Sequence, residues 1–291
     1  MSREAAFIEA LRALAAHPAA RGLADDCAVL DLGGETLVLT HDAMAEGVHF
    51  LPDQDQADVA WKLVATNLSD LAAKGAEPLG VLLGYRFGPD DARFLAGLGE
   101  VLEQYQVPLL GGDTIGGAES QVLGLTAIGR ATHRPVPARS GAQVNDGLWL
   151  TGPVGAAMLG FEALRDGTGA NSAAFRRPQP LLAEGQALAP HVTAMMDLSD
   201  GLLLDASRMA RASGVTFAID SLAVPEAAPE NGRADALCWG DDYQLLFTLP
   251  AGAQPPVPAH RIGTAVARGA AAILLDGAAL TEQAGLGYEH G

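Results

Sequence analysis

Lysine, cysteine and aromatic residues are all scarce in this chain of 291 residues. Its only lysines are Lys62 and Lys74, and neither stands in the glycine frame of a P-loop, which excludes a P-loop nucleotidase. Cys27 and Cys238 are too few for a disulfide framework or a thiolate zinc site, so two reduced thiols are expected. No stretch approaches the ~18 uninterrupted apolar residues of a membrane span. The first residues lack the basic start and apolar run of a signal peptide, and a cytoplasmic protein is the expectation. Positive charge is short as well: Lys+Arg total 18 against 35 Asp+Glu, a net charge of −17. Such a field repels nucleic acid and anionic lipid. Aromatics make up 5% of the chain, yet hydrophobic residues reach 49% and charged ones only 18%. That balance excludes a disordered chain and implies a core of small and aliphatic side chains.

Apolar spacing predicts helices over 3–16, 57–74 and 90–105, and strands over 28–32, 35–40, 79–87, 107–110 and 121–129. A stretch rich in Arg, Pro, Gly and Asn follows between 130 and 146. The same grammar then returns, with strands over 148–151, 192–196, 215–219, 244–249 and 271–275 and helices over 156–165, 181–188 and 202–212. The chain therefore divides into an N-terminal domain, 1–135, and a C-terminal domain, 136–291. Strands and helices mix without strict βαβ alternation, so the expected fold class is α+β with mixed sheets.

The chemistry-bearing pattern lies in the aspartates. Asp25, Asp26, Asp42, Asp70, Asp113, Asp197, Asp200, Asp241 and Asp242 fall at predicted strand ends and helix boundaries. A carboxylate just past a buried strand is held rigidly at the rim of a core, which is how oxygen-ligand sites for Mg²⁺ are built. Taken singly, each is more simply a turn or a cap. The segment Gly111-Gly112-Asp113-Thr114-Ile115-Gly116-Gly117 is either a tight turn or a place where backbone amides approach phosphate. Thr151-Gly152-Pro153-Val154-Gly155 is a weaker candidate of the same kind, and strand-to-helix packing is the better reading. Asp197-Leu198-Ser199-Asp200-Gly201 either caps a helix or binds metal and phosphate at its entry. Arg139 reads as a phosphate clamp. His49 is a half-buried sheet residue or a substrate contact, and pattern alone favours the former. An acidic site repels polyphosphate unless divalent cations invert its charge. A calcium module would gather its ligands in one loop, whereas these acids converge only through the fold.

The blocks Asp25-Asp26-Cys27-Ala28-Val29-Leu30, Asp42 with Glu46-Gly47-Val48-His49-Phe50, and Asn67-Leu68-Ser69-Asp70-Leu71-Ala72-Ala73-Lys74-Gly75-Ala76 resemble the thiamine-monophosphate kinase family. So do Gly111-Gly112-Asp113-Thr114, Arg139-Ser140-Gly141-Ala142, Arg177-Pro178, Asp197-Leu198-Ser199-Asp200-Gly201-Leu202 and Gly240-Asp241-Asp242-Tyr243. The resemblance is collinear from about residue 24 to 249. It implies an N-terminal ATP- and metal-binding domain with a mixed sheet through which the chain dimerises, and a C-terminal α/β sandwich-like domain. It implies transfer of the γ-phosphoryl group of ATP to thiamine monophosphate with several Mg²⁺ ions, in a cytoplasmic homodimer. By position it makes Asp26, Thr40, Asp42, Asp70, Asp113, Asp197 and Asp200 metal ligands, with Asp70, Asp113 and Asp197 closest to the chemistry. Gly112, Asp113, Arg139 and Ser199 fall at ATP contacts, and His49 and Asp241 at the acceptor. The chain departs from the family pattern at Ala24, His41, Asp241 and Gln244, and near Gly285, where an aromatic is expected.

Overall fold

The computed structural model describes residues 3–117, 120–280 and 285–288. Its centre is helix α2 (Gln56–Ala73), which starts where the Asp55 carboxylate accepts from the Ala57 amide. Every residue of α2 is buried except Asp70. Such a helix needs neighbours on all sides, and small residues let them come close. A Cβ at Gly97 of α3 (Asp91–Tyr105) would stand 2.3 Å from the Ala57 backbone, and one at Gly185 of α6 (Leu182–Leu188) would stand 1.9 Å from the Ala72 carbonyl oxygen.

On one side of α2 lies a five-stranded sheet of order β1-β2-β5-β3-β4, formed by β1 (Ala28–Leu32), β2 (Glu35–Ala45), β3 (Ala76–Arg86), β4 (Leu109–Ile115) and β5 (Val122–Ala131). The β3–β4 pair is parallel and the rest antiparallel. Alternation turns Val38, Thr40 and Met44 of β2, Leu123, Leu125 and Ala127 of β5 and Val81 of β3 toward the helix. The opposite face carries His41, Ala43 and Leu82 and is open.

Beyond α2 and α6 lies a seven-stranded sheet of order β12-β11-β8-β10-β6-β9-β7. Its strands are β6 (Gly147–Leu150), β7 (Ala194–Asp197), β8 (Val215–Ile219), β9 (Leu245–Leu249), β10 (His260–Ala267), β11 (Ile273–Leu275) and β12 (Ala278–Leu280). One face packs on α7 (Leu202–Ser213), α8 (Arg233–Trp239) and α4 (Ala156–Arg165) in the larger apolar cluster. On the other face Trp149, Met195, Leu245 and Phe247 meet Ala72 and Ala73 at the end of α2 and Leu188 of α6. Both sheets are mixed and the fold is α+β, as the element pattern implies.

Several expected bounds shift. The first helix, α1, covers only Arg3–Arg12. Strand β2 runs on to Ala45 rather than stopping at Thr40. The Gly111-Gly112-Asp113-Thr114 segment is neither a turn nor a loop but the body of β4. Its glycine answers to close packing: a Cβ at Gly112 would lie 1.9 Å from the Leu83 carbonyl oxygen. Strand β10 has no counterpart among the sequence expectations, because a bulge between Arg261 and Gly263 breaks its alternation. Helix α8 and the one-turn helix α5 (Ala173–Arg176) are too short to print a periodic pattern. Cys27 and Cys238 are both free thiols.

Candidate active site

Three chain segments end at the same point. Asp70 leaves α2 at its one partly exposed position, Asp26 precedes β1, and Asp197 closes β7. Ligand oxygens of these three carboxylates all lie within 4.8 Å of one another. A single turn of α2 arranges the neighbourhood. The Asn67 side-chain oxygen accepts from the Asp42 amide at 3.0 Å, and the Ser69 hydroxyl donates to Asp197 at 2.6 Å. Asp70 accepts from the Thr40 hydroxyl on β2. The Asn-Leu-Ser-Asp block is therefore a clamp between two sheets, with Asn67 and Asp70 holding β2 and Ser69 holding the end of β7.

Charge is unevenly shared within the cluster. Burial works to raise the Asp26 pKa, but the Arg139 and Lys74 cations outweigh it and hold the carboxyl below its usual range. Arg139 Nε donates to Asp26 at 2.6 Å, and Lys74 Nζ lies 2.5 Å from both Asp25 and Asp26. Arg21 adds a further 2.7 Å pair to Asp25. The remaining acids lack such company. Burial and then the negative neighbours Asp42, Asp197 and Asp26 push Asp70 well up. Burial and Asp26 lift Asp197 to about 8. Asp42 rises to about 6 through burial, against some relief from His41 and with added repulsion from Asp26 and Asp200. Carboxylates that repel one another in a buried pocket are strong attractors for a divalent cation. The donor set fits Mg²⁺, since it consists of carboxylate oxygens with the Thr40 hydroxyl beside them.

Asp200 sits beside this group and pairs with Arg208. Its loop is pinned by Asp205, whose carboxylate accepts from the Ser199 amide at 3.1 Å and the Asp200 amide at 3.0 Å. The Ser199 carbonyl accepts from the Asp241 amide at 2.8 Å, so the two loops are in direct contact. Asp241 takes the Lys62 ammonium at 2.7 Å and the Tyr243 hydroxyl at 2.9 Å. Lys62, only 1% exposed, also donates to the His49 carbonyl at 3.0 Å, which puts His49 and Asp241 on one cation. His49 Nδ1 accepts from the Ala45 amide at 3.0 Å.

Arg139 is bound to Asp26 and does not stand as a free clamp. Gly112 and Asp113 do not join the cluster. They lie on the far edge of the first sheet, three strands from β2, which is about 14 Å at ordinary strand spacing. Asp113 also pairs in register with Gly84, and Gly84 with Gly124, on the face away from α2. The weaker glycine segment at 151–155 is structural. Asp242 accepts from the Gly155 amide at 2.8 Å and the Ala157 amide at 3.3 Å, filling the α4 N-terminus with the chain's own carboxylate.

Residues 24–131 match the family model described as AIR synthase related protein, N-terminal domain, and residues 143–275 match its C-terminal domain. The thiamine-monophosphate kinase of Caulobacter vibrioides is 38% identical over 253 residues, 80% of this chain and 72% of that protein. The chain belongs to the thiamine-monophosphate kinase family. The family's Escherichia coli K12 member is 36% identical, over 79% of this chain and 76% of its own. Among solved structures, one described as AaThiL complexed with AMPPCP and TMP superposes with a TM-score of 0.84 at 27% identity, covering 94% of this chain and 93% of that one. The thiamine-monophosphate kinase of Stenotrophomonas maltophilia gives a TM-score of 0.76 at 29% identity, covering 94% and 95%. Hydrogenase maturation protein HypE, 20% identical with a TM-score of 0.71, shares the fold alone. Within this kinase family member, Asn67, Ser69, Lys62, Lys74, Asp205 and Tyr243 shape the site although the sequence assigned none of them a role there. The signal for the lysines was available: a chain with two lysines places both on or next to one helix.

Proposed function

We propose that the chain is a thiamine-monophosphate kinase, passing the γ-phosphoryl group of ATP directly to the phosphate of thiamine monophosphate and releasing thiamine diphosphate and ADP. The observation that carries the reading is the meeting of Asp26, Asp70 and Asp197 in a chain that belongs to this family. In this reading Asp26, Thr40, Asp42, Asp70, Asp197 and Asp200 hold Mg²⁺, which when bound neutralises the polyphosphate and the charge of the transferring group. The acceptor is already an anionic phosphate, so the chain's residues have little proton to remove. Their task is positioning. Asp70 and Asp197 fix the reacting end from two rigid elements, Ser199 lines the ATP side, and His49 and Asp241 lie on the acceptor side, joined through Lys62. Arg139 reaches a phosphate by exchanging its Asp26 contact for it.

Gly112 and Asp113 take part only if a second copy brings them. The open sheet face and its β4 edge expose Leu82, Leu109, Leu110, Ile115 and Val122, a surface suited to a copy of itself. We therefore read residues 1–135 as the ATP, metal and dimerisation domain and 136–291 as the C-terminal domain of a cytoplasmic homodimer. No helix among the described residues is long and apolar enough to cross a membrane. The direct test is purified protein with ATP, Mg²⁺ and thiamine monophosphate, with products separated by chromatography. Thiamine diphosphate and ADP are expected in equal amounts. ADP formed without thiamine diphosphate would defeat the assignment.

A further inference from the structure

Lys74 is fully buried, and its ammonium lies in a cage of three oxygens: Asp25 and Asp26 at 2.5 Å each and the Met195 carbonyl at 3.3 Å. An ammonium has three protons to give and no acceptor capacity; here it is flanked by two carboxylates as ion pairs and donates a hydrogen bond to the Met195 carbonyl. That is the environment a bound metal ion takes, except that this cation is tethered to the chain. Its place follows from helix geometry. Lys74 is the residue after α2, four beyond Asp70, so it comes off the helix on the same side as the acidic cluster. One of its carboxylates, Asp26, also belongs to the group of three oxygen donors that converge on a common point.

We propose that Lys74 is a resident cation of the acidic cluster, competing at Asp26 with a divalent ion and steering such ions toward Asp42, Asp70 and Asp197. The inference rests on the reading of this cluster as a divalent-cation site. Lys74 neutralises Asp25 and Asp26 together, and Arg139 adds a second positive charge at Asp26. Among the described residues none forms a salt bridge with Asp42, Asp70 or Asp197, and although His41 and Arg139 ease the charge on Asp42, the three repel one another. A divalent ion entering the pocket gains most where the negative charge is uncompensated and is opposed by the fixed ammonium near Asp26. In a chain of net charge −17 with two lysines, a buried lysine between two carboxylates gives the cluster a positive charge that no chelator can remove.

The test is Mn²⁺ binding to the full chain without nucleotide, followed by calorimetry and by electron paramagnetic resonance of free Mn²⁺. Thermal denaturation in metal-free and Mn²⁺ buffers runs alongside. Lys74→Met keeps the length of the side chain and removes its charge. This variant should bind Mn²⁺ roughly tenfold more tightly or take up an additional ion, because a like charge a few ångströms away is gone. It should melt lower than wild type without metal and recover with Mn²⁺. Asp25→Asn should move the other way. With Asp25 neutral, the ammonium rests on Asp26 alone, and Mn²⁺ binds more weakly than to wild type. A Lys74→Met isotherm that overlays wild type, with a thermal loss Mn²⁺ does not restore, would make Lys74 a structural ion pair only and overturn the proposal. Should Lys74→Met fail to fold in either buffer, an Asp25→Asn isotherm identical to wild type overturns it equally. A wild type that binds no Mn²⁺ overturns the cation reading itself.

Discussion

Asp70 is the one residue of α2 that is only partly buried, and its place among other acids sets two expectations. Asp70→Asn keeps the shape and the Thr40 contact but removes a charge from a repelling group. Turnover should fall by about 10²–10³-fold, while the metal-free melting temperature stays level or rises. A variant with unchanged kcat would mean that Asp70 serves packing alone. Asp197 sets the pH dependence. With its carboxyl raised to about 8 in the fold against about 3.9 in the unfolded chain, the folded state keeps a proton that the unfolded state has lost. Stability from this source is complete below the unfolded value and drains as pH rises toward 8. The metal-free protein should melt roughly 5 °C lower at pH 8.5 than at pH 5.5, and Mg²⁺ should narrow the gap, because proton and cation compete for the same oxygens. A flat profile without metal would show that Asp197 is ionised throughout. The acids were readable as a group from their places at strand ends. Their partners were not, since ion pairs such as Lys74 with Asp25 and Arg139 with Asp26 cross sequence distances on which local pattern is silent.

At the scale of elements, helices and strands with strong periodicity were legible: α2, α3, α7 and most of the first sheet come within a few residues of their expected bounds. The losses have local causes. The β10 bulge at Gly263 interrupts alternation, α8 has too few residues to display a face, and the glycines of β4 imitate a turn while serving a close strand approach. The contact between elements that most affects the acceptor side is Lys62. It leaves the middle of α2, passes over the Phe175 ring at 3.8 Å from the centroid and ends on Asp241 and the His49 carbonyl. Lys62→Met strands the Asp241 carboxylate and frees the His49 loop, and losing one member of a buried pair costs about 3–5 kcal/mol. Asp241 is 23% exposed and keeps some solvent, so the lower end is expected. KM for thiamine monophosphate should rise by about tenfold while KM for ATP changes little. Equal increases in both would place Lys62 in general folding instead of acceptor positioning.

At the scale of the molecule, the cluster and Asp113 stand on opposite faces of the first sheet. Asp70→Asn and Asp113→Asn are then defects in complementary halves if two copies share a site. When the two inactive variants are unfolded together in equal amounts and refolded, mixed dimers should restore about a quarter of wild-type activity, one intact site in half of the dimers. A mixture as inactive as its components would put Asp113 outside the shared site. Gel filtration of wild type should give a dimer that Leu110→Glu and Ile115→Glu weaken. The two halves of one copy are joined more firmly than their family boundaries suggest. Ala72 and Ala73 of the N-terminal half complete the apolar layer over Trp149, Met195 and Phe247 of the other. Residues 136–291 expressed alone would leave that layer open to water, and the isolated piece should bind hydrophobic dyes and lack sharp near-ultraviolet signals. The intact chain, by the same reasoning, should lose both sheets in one calorimetric transition, since neither half can melt without uncovering the other. Rigid-body bending between the halves would tear the same layer, which leaves loop movement as the means by which substrates enter and leave.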